Sequence, residues 1–335
     1  MAVKLGLAIV STDIREYVRQ VRMLDDAGIA MFGCGDSQAL YHEQFIRTAL
    51  AAEHSSRARV GTWITNPITR HPAVTAAAIA TVDDIAGGRA FLGVGTGDST
   101  VYNASLRPAS LASLERFVNT VRELHQDGVS QWRGRPCYLT WAQRRIPIGM
   151  AVSGPRAMRM AGRLADVVWV CLGIQEDEID VAKQRLEEGA REAGRTLADI
   201  DVWWMVQLNI AESREAALEP IKANLATSGH IIFRYGLEGK AVPPQYQAQA
   251  QELARRYRPT HHFDNLTLTD ELGLTDYLAD RLAIVGTVED CAQRVKELEA
   301  LGVNQLFFYA ALPDNERLLN LVAKDLIPSV GGGTR

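Results

Sequence analysis

The sequence lacks the features that would assign it to a membrane, to nucleic acid or to a secreted fold. It has no run of about eighteen apolar residues, and its first residues enter a strand-like pattern without a basic segment or cleavage site, so we expect neither membrane insertion nor secretion and a cytoplasmic location. The 36 Lys and Arg residues are outnumbered by 40 Asp and Glu residues. This charge balance provides no sequence-wide attraction to nucleic acid or anionic lipid.

Cysteine is scarce as well. Cys34, Cys137, Cys171 and Cys291 are far apart and form no C-x-x-C pair, which argues against a zinc ribbon or a disulfide framework. The histidines also lack metal-ligand spacing, because the pair of His42 and Glu43 is not followed by a second histidine. We therefore expect no metal site.

What the sequence does contain is a regular alternation of short β-rich runs and longer helical patterns. Of its 335 residues, 47% are apolar and 23% are charged, the composition of an ordinary globular protein. The predicted strands are residues 3–10, 29–34, 58–65, 90–94, 146–152, 167–171, 202–210 and 304–310. Eight strands separated by helices predict a single (β/α)8 TIM barrel over residues 1–330, followed by a disordered tail at 331–335.

One interval is longer than such a barrel needs. Between the seventh and eighth predicted strands lies a breaker-rich segment, residues 229–276, which includes Pro243, Pro244 and Pro259. Long connections inside a compact domain are usually functional. We interpret residues 229–276 as an insertion that covers the mouth of the barrel and forms a candidate active-site lid.

Small polar residues follow four of the predicted strands. The sequences are GCGDS at 33–37, TNP at 65–67, GVGTGDS at 93–99 and SGP at 153–155. In a TIM barrel, the loops after the strands meet at one face and carry the chemistry. Glycine allows a flat ligand to approach the backbone, and Asp, Ser, Thr and Asn provide hydrogen bonds, so these loops predict a ligand site with Asp36 as a polar anchor.

Two of these loops are candidates for phosphate binding, and their sequences favour the one at 153–156 over the one at 93–97. The glycines at 93–97 are spaced G-x-G-x-G, not as the G-x-G-x-x-G fingerprint that opens a dinucleotide-binding fold, so we reject a nicotinamide site there. Ser153, Gly154, Pro155 and Arg156 are a better candidate. Proline favours the first helical position, the turn presents free N–H groups, and Arg156 adds positive charge. A plain helix start is the alternative.

The insertion contains the pair His261 and His262, followed by Phe263 and Asp264. Two titratable rings near a carboxylate can move a proton or orient a substrate at neutral pH, which makes the pair a catalytic candidate. A surface role is the alternative.

These sequences resemble those of the bacterial luciferase-like family of flavin- and deazaflavin-dependent enzymes. The resemblance rests on TWITNPITRHPAVT at 62–75 and IAGGRAFLGVGTGDS at 85–99, and it continues through PIGMAVSGP at 147–155, AGRLAD at 161–166, VGTVEDC at 285–291 and LGVN at 301–304. Within the family the chain is most similar to the branch of methylenetetrahydromethanopterin reductase. It departs from that branch at Trp63, where glycine is usual, and at Ser99, where lysine is usual, which argues against pterin reduction. The resemblance covers about residues 1–225 and 283–330 and does not extend to the insertion.

The resemblance implies a homodimer or higher homo-oligomer, with the helices after the second and third strands as its interface. It implies that reduced FMN or coenzyme F420 binds at the C-terminal face, and that Ser153, Gly154 and Pro155 hold its phosphate. A cis peptide bond between Trp63 and Ile64 would lie behind the ring. The residues expected beside the ring or at the same mouth are Trp63, Thr65, Asn66, Gly97, Asp98 and Ser99.

Three functions compete at this stage. The leading hypothesis is a two-component monooxygenase that receives reduced FMN from a separate flavin reductase and oxygenates a small organic substrate, with the lid excluding water. Aromatic residues in or near the insertion, such as Tyr235 and Tyr257, suit an aromatic or heterocyclic substrate. The alternative is hydride transfer with F420, and a further alternative is a flavin-binding relative without catalytic activity.

Overall fold

The computed structural model describes residues 3–259, 265–312 and 314–331. Its strands are β1 (Lys4–Ile9), β2 (Met31–Cys34), β3 (Arg59–Thr65), β4 (Ala90–Val94), β5 (Val129–Trp132), β6 (Arg135–Tyr138), β7 (Ile148–Val152), β8 (Val167–Val170), β9 (Asp201–Ile210), β10 (Ala283–Gly286) and β11 (Gln305–Ala310). Its helices are α1 (Ile14–Ala27), α2 (Gln44–His54), α3 (Pro72–Ala86), α4 (Ser99–Tyr102), α5 (Leu111–Asp127), α6 (Pro155–Leu164), α7 (Glu176–Glu192), α8 (Arg214–Leu218), α9 (Lys222–Phe233), α10 (Gln247–Arg256), α11 (Leu268–Glu271), α12 (Thr275–Leu282), α13 (Val288–Ala300), α14 (Asn315–Leu321) and α15 (Ile327–Val330).

Eight of the strands form a closed parallel barrel, which confirms the predicted fold. Their order around the barrel is β1, β2, β3, β4, β7, β8, β9 and β11, and β11 pairs with β1 to close it. The helices between them pack on the outside. Because all the barrel strands are parallel, their carboxyl ends meet at one face, where the polar loops of the sequence come together.

Three strands were not predicted. Strand β10 is only four residues long and adds to the carboxyl half of β9, with Gly286 opposite Ile210. Strands β5 and β6 form a hairpin outside the barrel. Its two turn residues, Arg133 and Gly134, both have positive φ angles, of 50° and 75°. Arg133 is an unusual residue for this left-handed conformation, so only Gly134 indicates the hairpin turn in the sequence.

The core has two parts, one on each side of the strands. Inside the barrel, a cluster of buried residues includes Trp169, Trp203 and Phe307. Outside it, a larger apolar layer joins the strands to the helices and includes Trp204. Adjacent residues on a strand point to opposite faces, as the sequence predicts for Trp203 and Trp204.

The insertion, residues 229–276, is more helical than its prolines and glycines indicate. It contains the end of α9, the whole of α10 and α11 and the start of α12. Within α9, nine of the twelve residues are buried, which shows that this helix belongs to the body of the protein. None of the helices in the described residues is long and apolar enough to cross a lipid bilayer.

Candidate active site

A cavity of about 1080 Å³ opens at the carboxyl ends of the barrel strands. This volume is large enough for a flat cofactor together with a small substrate. Loops after β2, β4 and β7 and the end of β3 line one side, and five residues between 231 and 240 in the insertion line another. The predicted site residues that line it are Asp36, Trp63, Gly97, Asp98, Ser99, Ser153, Gly154, Pro155 and Arg156.

Trp63 and Ile64 form an apolar wall of the cavity. The peptide bond between them is cis, as the family resemblance implies, and the pairing of β3 with β4 shifts register between Thr62 and Thr65. The Trp63 ring packs on Phe307 with ring centroids 4.8 Å apart. Its indole Nε1 is buried without a hydrogen-bond acceptor among the described residues. A planar ring with a carbonyl at its edge would complement this wall.

Thr65 and Asn66 lie behind the wall and do not line the cavity. Both are fully buried. The Asn66 Oδ1 atom accepts hydrogen bonds from the backbone N–H groups of Ile68, at 2.9 Å, and Thr69, at 3.0 Å, and so holds the turn after β3. Thr65 faces Asp36, with 3.4 Å between Oγ1 and Oδ2. These two side chains therefore stabilise the end of β3 and the turn that follows it. Their contact with a cofactor ring stays a prediction.

Asp36 is a nearly buried carboxyl group at the cavity. Its side chain is 6% exposed and pairs with Arg70, with 2.8 Å between Oδ2 and Nη1. Burial raises the pKa of Asp36, and the Arg70 guanidinium opposes that rise. Arg70 also binds Glu43, at 2.5 Å. A carboxyl group in this setting can hold a proton close to a ligand, which supports the choice of Asp36 as a site residue.

An ion pair connects the insertion to the barrel beside the cavity. The Arg234 Nη1 atom lies 2.8 Å from Asp98 Oδ1, and the two side chains are 13% and 24% exposed. Arg234 also lies over the Tyr235 ring, at 4.9 Å from its centroid. Sequence reasoning missed Arg234. Its position in the sequence, between helix α9 and Gly236, is the feature that could have indicated it.

The residues of the predicted phosphate site form the amino end of α6. Gly154 is the N-cap residue, Pro155 is the first helical residue, and no side chain caps the helix. The free N–H groups of this first turn and the helix dipole favour an anion. Ser153 lies beside them and donates to the Ile231 carbonyl at 3.2 Å. Arg156 is exposed and makes no ion pair with any described residue.

Sequence reasoning also missed Lys240, which belongs to the insertion. Lys240 is 4% exposed, and its Nζ donates to the Ile232 carbonyl. Burial lowers the pKa of Lys240 to about 8, and the positive charges of Arg234 and Arg281 add to this effect. A Cβ atom added to Gly154 would lie 3.7 Å from Lys240 Cε, so this lysine is directly beside the phosphate site.

The remaining predicted residues have different positions. His261, His262 and Phe263 lie outside the described residues. Tyr235 lines the cavity, whereas Tyr257 is buried and stacks on His230 with ring centroids 4.4 Å apart. In the described part of the chain, no group of three or more His, Cys, Asp and Glu side chains is placed to hold a metal ion. All four cysteines are free.

Comparison with known proteins agrees with this architecture. A family model described as luciferase-like monooxygenase matches residues 4–305, which is most of the chain and includes the insertion. The chain belongs to this family. The resemblance expected from the sequence is thereby confirmed, and the protein is an oxidoreductase of the luciferase-like group.

Two curated relatives of this luciferase-like oxidoreductase have different substrates. The 5,10-methylenetetrahydromethanopterin reductase of Methanopyrus kandleri is 26% identical over 92% of this chain and 93% of its own length. The F420-dependent glucose-6-phosphate dehydrogenase of Amycolatopsis mediterranei is also 26% identical, over 82% of this chain and 81% of its own.

A solved structure shows the same fold. The coenzyme F420-dependent tetrahydromethanopterin reductase of Methanopyrus kandleri superposes with a TM-score of 0.80 at 24% identity, covering 98% of this chain and 100% of the other.

The site of this family member fits a flavin or deazaflavin. The cavity has the Trp63 ring on one wall, the uncapped amino end of α6, and buried polar atoms that lack hydrogen-bond partners among the described residues. Three such atoms belong to cavity residues: Trp63 Nε1, Gln207 Oε1 and Arg234 Nε. Buried polar groups are nearly always hydrogen-bonded, so these atoms indicate a polar ligand.

Proposed function

We propose that the protein is an F420-dependent oxidoreductase that transfers a hydride between the deazaflavin ring and a small organic substrate. The observation that carries the proposal is the cavity itself, which combines the Trp63 wall with the anion site at Ser153 and Gly154. F420 has a flat ring and an acidic, phosphate-bearing tail, so both ends of the cavity have a partner. Two relatives described above, the Amycolatopsis dehydrogenase and the Methanopyrus reductase structure, are named as F420-dependent.

This proposal adopts the alternative of the sequence analysis over its leading hypothesis. The FMN monooxygenase is supported by the name of the family, whereas the F420 enzymes are supported by relatives that cover most of the chain. The non-catalytic alternative has less support, since these relatives are named as enzymes. A separate flavin reductase is needed only under the FMN hypothesis.

F420, when bound, supplies or accepts the hydride. The residues of this chain then have separate tasks. Trp63 and Ile64 would support one face of the ring, and the first turn of α6 would bind the phosphate. Asp36, held by Arg70, would bind the substrate and hold or accept a proton at its Oδ atoms. The insertion would exclude water from the cavity.

The choice of cofactor is tested by equilibrium titration. F420 and FMN, each oxidised and reduced, are added to the protein under anaerobic conditions, and binding is followed by the absorbance of the ring and by tryptophan fluorescence. We expect F420 to bind more tightly than FMN. Tight binding of reduced FMN, followed by substrate-dependent oxygen consumption when air is then admitted, would favour the monooxygenase hypothesis, and no binding of either cofactor would overturn both hypotheses.

A further inference from the structure

The insertion places a buried positive charge next to the anion site, and the described residues do not neutralise it. Lys240 is 4% exposed and lines the cavity, and its Nζ donates a hydrogen bond to the Ile232 carbonyl, a neutral group. A buried ammonium group is normally paired with an anion. In the described part of the chain, Lys240 has no such partner.

The charges around Lys240 make this imbalance clear. Its neighbours Arg234 and Arg281 are both cations, and each is paired with a carboxylate: Arg234 with Asp98 at 2.8 Å, and Arg281 with Glu178 at 3.0 Å. Glu238 lines the cavity but is exposed and forms no ion pair with Lys240. Of these three cations, Lys240 alone has no carboxylate partner among the described residues, and it lies beside the amino end of α6, where the exposed Arg156 is also unpaired.

The position of Lys240 is fixed by its own backbone. The Arg281 guanidinium, which is 1% exposed, donates to the carbonyls of Lys240 at 2.6 Å, Ala241 at 3.1 Å and Leu172 at 2.9 Å. On the other side, a Cβ atom on Gly239 would lie 3.2 Å from Pro155 Cγ. Residues 239–241 are thus held between α12 and the first residue of α6, and Lys240 has little freedom to turn to solvent.

We propose that Lys240 is the principal cation for the cofactor phosphate, and that Arg281, itself paired with Glu178, positions it. The insertion then has a binding role beyond covering the cavity, because it supplies a buried positive charge, whereas Arg156 at the start of α6 is exposed to solvent. This inference rests on the proposed function only in requiring a phosphate-bearing ring cofactor. It applies to F420 and to FMN.

The test compares each cofactor with its phosphate-free counterpart. Dissociation constants are measured by fluorescence titration for F420 and its ring without the phosphate-bearing tail, and for FMN and riboflavin. The variant Lys240→Gln retains a donor for the Ile232 carbonyl but removes the charge. We expect Lys240→Gln to weaken binding of the tighter phosphate-bearing cofactor about 10- to 100-fold, and to leave its phosphate-free counterpart unchanged.

Two further variants make the result specific. Lys183→Gln is the matched control, since Lys183 also donates to a carbonyl, that of Leu301 at 2.8 Å, but lies away from the cavity. We expect it to change neither dissociation constant. Arg281→Lys retains the charge but loses the fork that binds three carbonyls, and we expect it to reduce the preference for the phosphate-bearing cofactor less than Lys240→Gln does.

The outcomes separate this proposal from the choice of cofactor. If Lys240→Gln retains the full preference of the wild-type protein for the phosphate-bearing cofactor, or weakens both members of a pair equally, the role of Lys240 is overturned. If the wild-type protein prefers no phosphate-bearing cofactor over its counterpart, the role is also overturned. If FMN binds and F420 does not, the F420 function fails, and the Lys240 role is decided by FMN and riboflavin.

Discussion

Arg234 and Asp98 form an ion pair of 2.8 Å that joins the residue after helix α9 to the loop after strand β4, across the edge of the cavity. Both side chains are more buried than those of ordinary surface pairs. Since the two residues are 136 positions apart in the chain, the ion pair connects the insertion directly to the barrel.

We expect this ion pair to stabilise the folded protein by about 1 kcal/mol. The measurement is a double-mutant cycle of Arg234→Gln and Asp98→Asn by urea unfolding of the cofactor-free protein. The control cycle is Arg214→Gln and Asp280→Asn, a pair at 2.6 Å that is 43% and 63% exposed. A coupling energy at Arg234 no larger than that of the control would show that this pair adds no more to the free energy of unfolding than an exposed ion pair does.

The pH dependence of cofactor binding follows from Lys240. Because burial lowers its pKa to about 8, the cation is present below pH 8 in the free protein and is lost above it. A bound phosphate favours the charged form, so binding above pH 8 takes up a proton, and affinity falls by up to about tenfold per pH unit.

The dissociation constant is measured from pH 6.5 to pH 9.5. Each limit is about two pH units or less from the pKa of Lys240. We expect Lys240→Gln to remove the dependence. The charged groups that face Lys240 are the exposed Glu238 and the guanidinium groups of Arg234 and Arg281, each of which is paired with a carboxylate. The same slope for the phosphate-free ring would assign the dependence to another group.

Two neighbouring glycines should respond differently to a methyl group. A Cβ atom on Gly33 would lie 2.4 Å from Trp63 Cβ and 2.8 Å from Phe307, whereas a Cβ atom on Gly35 would be in ordinary contact with Tyr41 at 3.6 Å. We expect Gly33→Ala to lower the free energy of unfolding by about 1–3 kcal/mol and to displace Trp63, and Gly35→Ala to have little effect. Urea unfolding and tryptophan fluorescence check this. Equal stability of the two variants would contradict the tight packing of Trp63.

Exposed apolar side chains mark the surface on which we expect the homodimer to form. Helices α2 and α3 pack together and expose Ile46, at 62%, and Val74, at 61%. We expect Ile46→Glu and Val74→Glu to shift the protein towards the monomer in sedimentation velocity. Leu266→Glu, at a residue 57% exposed in the insertion, is the control. A wild-type monomer, or a dimer insensitive to both substitutions, would contradict this interface.

The barrel was predictable because each of its strands carries its own signal. The eight predicted segments differ from the strands by at most two residues at either end, as for residues 29–34 against Met31–Cys34. The signal is strong where a strand is buried on both faces, since it is then apolar throughout. It fails for β10, which begins directly after α12 without a helix-breaking residue and pairs with β9 outside the eight-stranded ring.

The candidate site was predictable only where it belongs to the barrel loops. Asp36, Asp98 and Ser153 follow strands, so the topology itself brings them together. Lys240 and Arg234 come from the insertion, where nothing in the local sequence specifies which side chains face the cavity. Their positions depend on contacts distant in the chain, such as that between Arg281 and the Lys240 carbonyl.

The most direct test of the account is a crystal structure of the protein with F420 bound. We expect the deazaflavin ring to lie against Trp63 and Ile64, and the phosphate to be within hydrogen-bond distance of Ser153, the first turn of α6 and Lys240. A ring bound elsewhere, or a phosphate directed away from α6 and Lys240, would contradict it.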